Sequence, residues 1–156
     1  MRRKDREVTD GRKIDGIIAA CDCMRLGFCD DGEAYIVPLN FGFEEREGRR
    51  YFYFHGAGEG RKLELIRKTG RASFELDRGH ELIEGKTACS YSMKYQSVMG
   101  TGRIYLLEDA AEKRRAFSLI MAHYAGQQPW EFPEAMLKAV SVFCLEAESL
   151  SCKEHL

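Results

Sequence analysis

Tyr51-Phe52-Tyr53-Phe54-His55-Gly56-Ala57-Gly58-Glu59-Gly60-Arg61-Lys62 is an aromatic run that breaks into glycines and then into paired cations. Four consecutive aromatics are short and β-prone, and read as a strand with both faces covered. The glycines end it. Residues 61–68 follow as a short helix, with Leu63 and Ile66 on one side and Glu64 one turn before Lys68. Strand, glycine loop, helix start and two cations together make an anion site. Backbone N–H groups freed by the loop face the anion, the helix dipole adds partial positive charge, and Lys62 or Arg61 neutralises the rest. The stretch is not a Walker loop, since Leu63 follows Lys62 and offers no hydroxyl for magnesium. Nor is it a dinucleotide fingerprint: Gly56 and Gly58 fit, but Arg61 stands at the third glycine position. A solvated turn ahead of an ordinary helix is the competing reading of the same residues.

The surrounding chain bounds what such a site serves. Its 156 residues suit one domain, 1–156, with 1–8 as a charged arm, and suffice to bury a core without disulfide or metal staples. A content of 44% hydrophobic and 31% charged residues is that of a soluble globular protein. The net charge of −1 gives no general attraction to nucleic acid or to an anionic membrane, so an anion site has to be local. No apolar run approaches a membrane span, and the charged start Met1-Arg2-Arg3-Lys4-Asp5-Arg6-Glu7 leads into no signal-peptide core; the expected location is cytoplasmic. The six cysteines, Cys21, Cys23, Cys29, Cys89, Cys144 and Cys152, form no CxxC pair and sit mostly in apolar patterns, which predicts buried, reduced thiols. Cys21 and Cys23 with a histidine lack the spacing of a zinc site, so no metal is expected.

In chain order, Thr9 or Asp10 caps a helix whose Ile14, Ile17, Ile18 and Cys21 share one face. Residues 24–29 form a strand, Asp30-Asp31-Gly32 a turn, and residues 34–43 a second strand. Pro38 inside that strand marks an edge or a bulge and leaves neighbouring backbone groups for another partner. Residues 44–49 read as a polar hairpin loop, 72–76 as a strand, and 77–86 as a polar loop carrying His80. Residues 91–107 are long and β-prone; Gly100 and Gly102 within them predict a bulge, a barrel bend or close approach of a ligand. Asp109 caps a helix that ends near Gly126, with Phe117, Ile120, Met121 and Tyr124 on its buried face. A loop holding Trp130, a helical turn at 134–138 and a strand at 140–147 complete the chain. Six strands in mostly hairpin order predict a mainly β protein, an antiparallel barrel with helices packed outside.

Three segments, Tyr35-Ile36-Val37-Pro38-Leu39-Asn40-Phe41, Tyr53-Phe54-His55-Gly56-Ala57 with Gly60-Arg61-Lys62, and Tyr95-Gln96-Ser97-Val98-Met99-Gly100-Thr101-Gly102-Arg103, jointly resemble the flavin-binding split-barrel superfamily that includes pyridoxamine-phosphate oxidase. Within it the chain looks most like the nitroimidazole-resistance (Nim) group. The resemblance implies a six-stranded antiparallel split β-barrel with flanking helices, a homodimer, and FMN held between subunits. It places backbone groups of Val37, Pro38, Leu39 and Asn40 at the polar edge of the isoalloxazine, and Phe54, His55 and Ala57 along the flavin. Gly60, Arg61 and Lys62 would hold the phosphate, and Ser97, Val98 and Met99 would approach from a neighbouring strand. Many Nim relatives carry a histidine where this chain has Arg61, so a role for that histidine does not transfer. The tail Ser149-Leu150-Ser151-Cys152-Lys153 lacks the arginine and histidine pattern that pyridoxamine-phosphate oxidases use on substrate, which argues against that reaction.

These features together predict an FMN-dependent oxidoreductase that reduces a small electrophile such as a nitro-aromatic, with electrons from NADH, NADPH or another reductant. His55 is a candidate proton donor, though nothing in the sequence pairs it with a second catalytic group, and a hydrogen bond to cofactor or backbone is the plainer role. His123 reads as a surface cation near a helix end. Tyr95 and Trp130 suit substrate stacking or, more plainly, core or interface. The alternative function is a flavin- or haem-binding protein for storage, sensing or sequestration.

Overall fold

The computed structural model describes residues 3–156. Its strands are β1 (Glu7–Val8), β2 (Met24–Asp30), β3 (Glu33–Leu39), β4 (Gly42–Arg46), β5 (Arg49–Ala57), β6 (Arg71–Ile83), β7 (Ser92–Leu107) and β8 (Val140–His155). Its helices are α1 (Gly11–Ala19), α2 (Arg61–Thr69), α3 (Ala110–Ala125) and α4 (Glu134–Ala139). Every strand pairing is antiparallel, and one sheet runs β3-β2-β6-β7-β8-β5-β4, with β1 added along β8. β3 and β4 end that order, so the ladder is not closed.

The mainly β class with flanking helices is as expected; the count of six strands is not. Two local features raise it to eight. Glu7–Val8 is too short to show a period, yet Val8 is buried opposite Cys152, so the charged arm ends in a core contact. Residues 1–2 of that arm lie outside the described residues. The single strand expected at 34–43 is cut at Asn40 and Phe41, where the Phe41 N–H donates to the Tyr124 hydroxyl of α3 at 3.1 Å instead of to a strand.

Two-residue turns join β2 to β3 and β4 to β5. Asp31 and Gly32 have φ of 51° and 89°, Glu47 and Gly48 of 54° and 78°; left-handed geometry at both central residues matches the twist of the flanking strands. The second turn converts most of the expected 44–49 loop into ladder, with Arg46 opposite Arg49. The polar stretch after Leu76 is likewise strand as far as Ile83, its register shifting between Arg78 and Glu81. The last strand runs to His155 rather than stopping at Ala147. Gly100 and Gly102 prove to be a close approach of strands: added side-chain carbons would lie 2.1 Å from the Ser149 carbonyl oxygen and 2.2 Å from that of Glu146, and β7 and β8 shift register between Thr101 and Gly102.

Alternation divides the side chains between two layers. Leu26, Phe52, Phe54, Phe74, Val98, Phe143 and Leu145 face inward, where α1 adds Ile14, Ile17 and Ile18 and α2 adds Leu63, Leu65 and Ile66. Tyr51, Tyr53, Val142 and Cys144 face outward beneath α3, which contributes Ala116, Phe117 and Leu119. Asp10 and Asp109 cap their helices as expected, each accepting two N–H groups. Of the thiols, Cys21, Cys144 and Cys152 are buried, while Cys29 and Cys89 are exposed and Cys23 is intermediate. Burial pushes the Cys144 thiol up to about 12. Among the described residues no helix is long and apolar enough to cross a membrane.

Gly42 is where β4 meets α3. A side-chain carbon there would lie 2.6 Å from the Ile120 nitrogen and 2.8 Å from the Leu119 carbonyl carbon. Gly42→Ala should therefore displace α3 and cost about 1–3 kcal/mol, read as a lower urea midpoint at unchanged slope. A wild-type midpoint would show that α3 is not fixed at this position.

Candidate cofactor site

The end of β5, the loop at 58–60 and the start of α2 leave one cation over. Gly60, at φ 126°, caps α2 without a side chain, and its carbonyl accepts the N–H groups of Leu63 and Glu64. Among the described residues no acceptor takes those of Arg61 and Lys62. Arg61 is drawn away: its guanidinium lies 2.9 Å from Asp30 and 4.8 Å over the Tyr35 ring. Lys68 joins the same turn, 3.4 Å from Asp30 and 2.9 Å from Asp31. The hydrogen bond from Arg61 is the largest influence holding the Asp30 carboxyl below its usual value. Lys62 has no such partner among the described residues. Half-buried, it folds back across Gly56, where an added side-chain carbon would lie 2.8 Å from both Cε and Nζ.

His55 stands beside this ammonium. Its ring keeps an accessible edge yet lies 5.4 Å from Phe117 of α3, which in turn lies 5.4 Å from Phe132. Partial burial beside Phe117, and secondly the Lys62 charge, push its pKa down.

The other expected site residues divide by strand alternation. Phe54 and Val98 are fully buried, and Phe54 stacks on Phe143 at 5.3 Å, so both offer a ligand only their backbone. Val37 and Leu39 pack against the core, whereas Pro38 and Asn40 are exposed. β3 has a single neighbour, as Pro38 predicted, and half of its backbone polar groups face away from the ladder. On the outer face Pro38 pairs with Arg25 and Ile36 with Gly27. A shallow groove of about 410 Å³ crosses here, lined by Gly27, Ser73, Phe74 and Gly100 and flanked by the exposed Ile36 and Met99.

The predicted set does not converge within one chain. His55 pairs with Val142 on β8, and Val98 with Cys152, ten residues further along that strand. That is roughly 30 Å of strand. The structure thus joins His55, Gly56 and Lys62, and separately sets Met99 beside Ile36, with Ser97, Val98 and Met99 paired to the far end of β8 from His55.

Sequence reasoning missed a clamp on the β3–β4 corner. The Tyr124 hydroxyl accepts the Phe41 N–H and donates to the Asp22 carbonyl at 2.8 Å. His123, expected as a solvated cation, instead donates Nε2–H to the Cys21 carbonyl at 2.7 Å, its ring 4.4 Å from Phe41. Their place in the last turn of α3 was visible, but nothing local names a backbone partner over a hundred residues away. Among the described residues no three His, Cys, Asp or Glu side chains gather as for a metal.

A family model described as pyridoxamine 5'-phosphate oxidase matches residues 10–154. The chain belongs to that family. No curated protein matches it in sequence. A candidate 5-nitroimidazole antibiotic resistance protein from Bacteroides thetaiotaomicron is 31% identical, over 95% of this chain and 86% of that one, with a TM-score of 0.82. A flavocytochrome from Azotobacter vinelandii (22% identity, 100% and 72% coverage, TM-score 0.80) and an FAD- and haem-binding protein from Mycobacterium smegmatis (16%, 96% and 73%, 0.82) share the fold. The fold is thus a flavin-binding one of the pyridoxamine 5'-phosphate oxidase type.

In the cofactor-free protein His55 should titrate below the ordinary value of 6.5, and Lys62→Ala should move it part of the way back, burial remaining. The unfolded chain then takes up its proton first, so stability falls as pH drops from 6.5 toward the folded-state value. Ring NMR through the titration checks both. A midpoint at or above 6.5, or one indifferent to Lys62, would contradict the geometry.

Proposed function

We propose that this chain is a cytoplasmic FMN-dependent oxidoreductase that reduces a small electrophile, such as a nitro-aromatic, with electrons from NADH or NADPH. The observation that carries the reading is Lys62: a half-buried residue without a carboxylate partner among the described residues, laid over Gly56 at a helix start that has no side-chain cap. A phosphate needs that combination of point charge and open N–H groups. The 31% identity to the Bacteroides protein supports the direction of the chemistry.

In this reading Gly60 and Lys62 hold the phosphate, while Arg61, tied to Asp30 and Tyr35, shapes the loop and adds field. Edge backbone groups of Val37, Pro38, Leu39 and Asn40 meet the polar rim of the isoalloxazine. His55, Ala57 and the Phe54 backbone lie along it. Because Ser97, Val98 and Met99 pair with the opposite end of β8 from His55, they come, in this reading, from the partner of a homodimer with FMN at the subunit interface. The exposed Ile36 and Met99 around an apolar groove suit that contact. The whole of 1–156 then acts as one domain. Bound FMN supplies the electron transfer, and the protein binds it, orients it and excludes water. His55, its pKa lowered, is neutral near pH 7 and serves as a hydrogen-bond partner of the cofactor rather than as an acid.

A cofactor carrier without turnover is the second reading, favoured by the lack of any acid or base paired with His55 among the described residues. The purified protein should show a flavin spectrum, not a Soret band. Anaerobic NADH or NADPH should bleach it, and a nitro-aromatic should restore it. A flavin that no donor and acceptor pair cycles would leave the carrier. Lys62→Ala removes a charge-assisted contact of about 1.5–3 kcal/mol, so FMN affinity should fall about 10- to 100-fold; full retention of FMN would end the phosphate assignment.

A further inference from the structure

Away from Lys62, four adjacent strands gather arginines around one carboxylate. Glu146 of β8, its side chain only 10% exposed, receives Arg49 of β5 at 2.5 Å on one oxygen and Arg103 of β7 at 3.0 Å on the other. The two guanidinium groups hold its carboxyl below the usual range, Arg49 first. Each arginine uses part of its fork on Glu146 and remains open, at 67% and 63% exposure. Arg46, opposite Arg49 on β4, lies 4.6 Å over the Tyr51 ring and has no carboxylate partner among the described residues. Glu44, nearest in charge, is taken by Arg115 and the Tyr53 hydroxyl. At the rim Arg71 and Glu148 balance each other at 2.6 Å.

Two arginines thus hold one carboxylate in a groove of about 600 Å³ lined by Gly48, Arg49, Arg103, Glu146, Ala147 and Glu148, with Glu148 neutralised by Arg71, and with Arg46 one strand further out. A carboxylate between two arginines often serves structure alone. Here two guanidinium charges meet one carboxylate, each spends one nitrogen on it, and both line the groove while remaining largely exposed. The shift of register beside Gly102, whose added side-chain carbon would meet the Glu146 carbonyl, fixes Glu146 in turn. Planar forks held in place with unused N–H groups match an anion with several acceptor oxygens.

We propose that this groove binds a phosphate monoester, at a site separate from Lys62. Free phosphate and the ribose 2'-phosphate of a nicotinamide dinucleotide present the same chemistry; only the second use rests on the oxidoreductase reading, where it would make NADPH the preferred donor. The test is calorimetric titration of the flavin-loaded protein with NADPH, NADH and inorganic phosphate at constant ionic strength. NADPH binding about tenfold tighter than NADH, with phosphate competing, identifies the dinucleotide. Phosphate binding with the two dinucleotides equal identifies the free anion. In either case Arg49→Ala and Arg103→Ala should each weaken the phosphate-dependent affinity about tenfold, with flavin absorbance unchanged. Arg103→Lys, which keeps the charge and loses the fork, should recover only part. Absence of phosphate binding and of any NADPH preference in the wild type, or arginine variants that bind as it does, overturns the proposal. Repeating the phosphate titration on Lys62→Ala separates the two sites: this groove should bind unchanged whatever becomes of the flavin.

Discussion

Asp30 receives Arg61 at 2.9 Å and Lys68 at 3.4 Å, and so decides how α2 sits on the end of the sheet. These pairs are too exposed to hold the helix by themselves. Burial does that: Leu63, Leu65 and Ile66 are almost wholly covered, and each such side chain contributes about 1.5–3 kcal/mol. What the ion pairs settle is rotation and allocation. With Arg61 turned toward the β2–β3 hairpin and Lys68 beside it, Lys62 is the cation without a carboxylate, and the missing side chain at Gly56 gives it room to lie across β5. Stability and function thus rest on different residues of the same nine-residue helix.

Elements with one buried face were legible in the sequence. α1, α2 and α3 showed their apolar spacing and, in two cases, their capping aspartates; β5 announced itself by aromatics. Strand was hidden where polar residues break the apolar alternation. Beyond Leu76, β6 continues through Asp77, Arg78 and His80, and beyond Ala147, β8 continues through Glu148 and Ser149; in both, polar residues sit in a ladder sustained by backbone pairing. β4 was masked in the same way by Glu44, Glu45 and Arg46, since the left-handed pair Glu47 and Gly48 needs only two residues to reverse the chain.

The residues of the candidate site were visible in the sequence, but how their charges are paired was not. Gly56 and Lys62 could be read as an anion grip, yet which of two adjacent cations stays free depends on Asp30, thirty-one positions before Arg61 and visible there only as a turn residue. The spacing of motifs along the chain likewise says nothing about distance. Residues 37–40, 55–62 and 97–99 look like one constellation, but the β8 register sets Val142 opposite the second and Cys152 opposite the third. A sheet whose strand order ends at β3 and β4 lets a ligand meet edge backbone on one chain and an outer face on another.

His55 gives this arrangement a further property. Its pKa is lowered first by burial against Phe117 and then by the Lys62 charge. An anion that neutralises Lys62 removes the second cause and leaves the first, so the imidazole of the anion-bound protein titrates higher than that of the free one. By reciprocity a proton on His55 must strengthen anion binding by the same factor. In the proposed reading, proton and phosphate are coupled through one ammonium group, with no movement of the fold required. The partial burial of the ring beside Phe117 does not depend on the anion, so that part of the bias toward the neutral form stays.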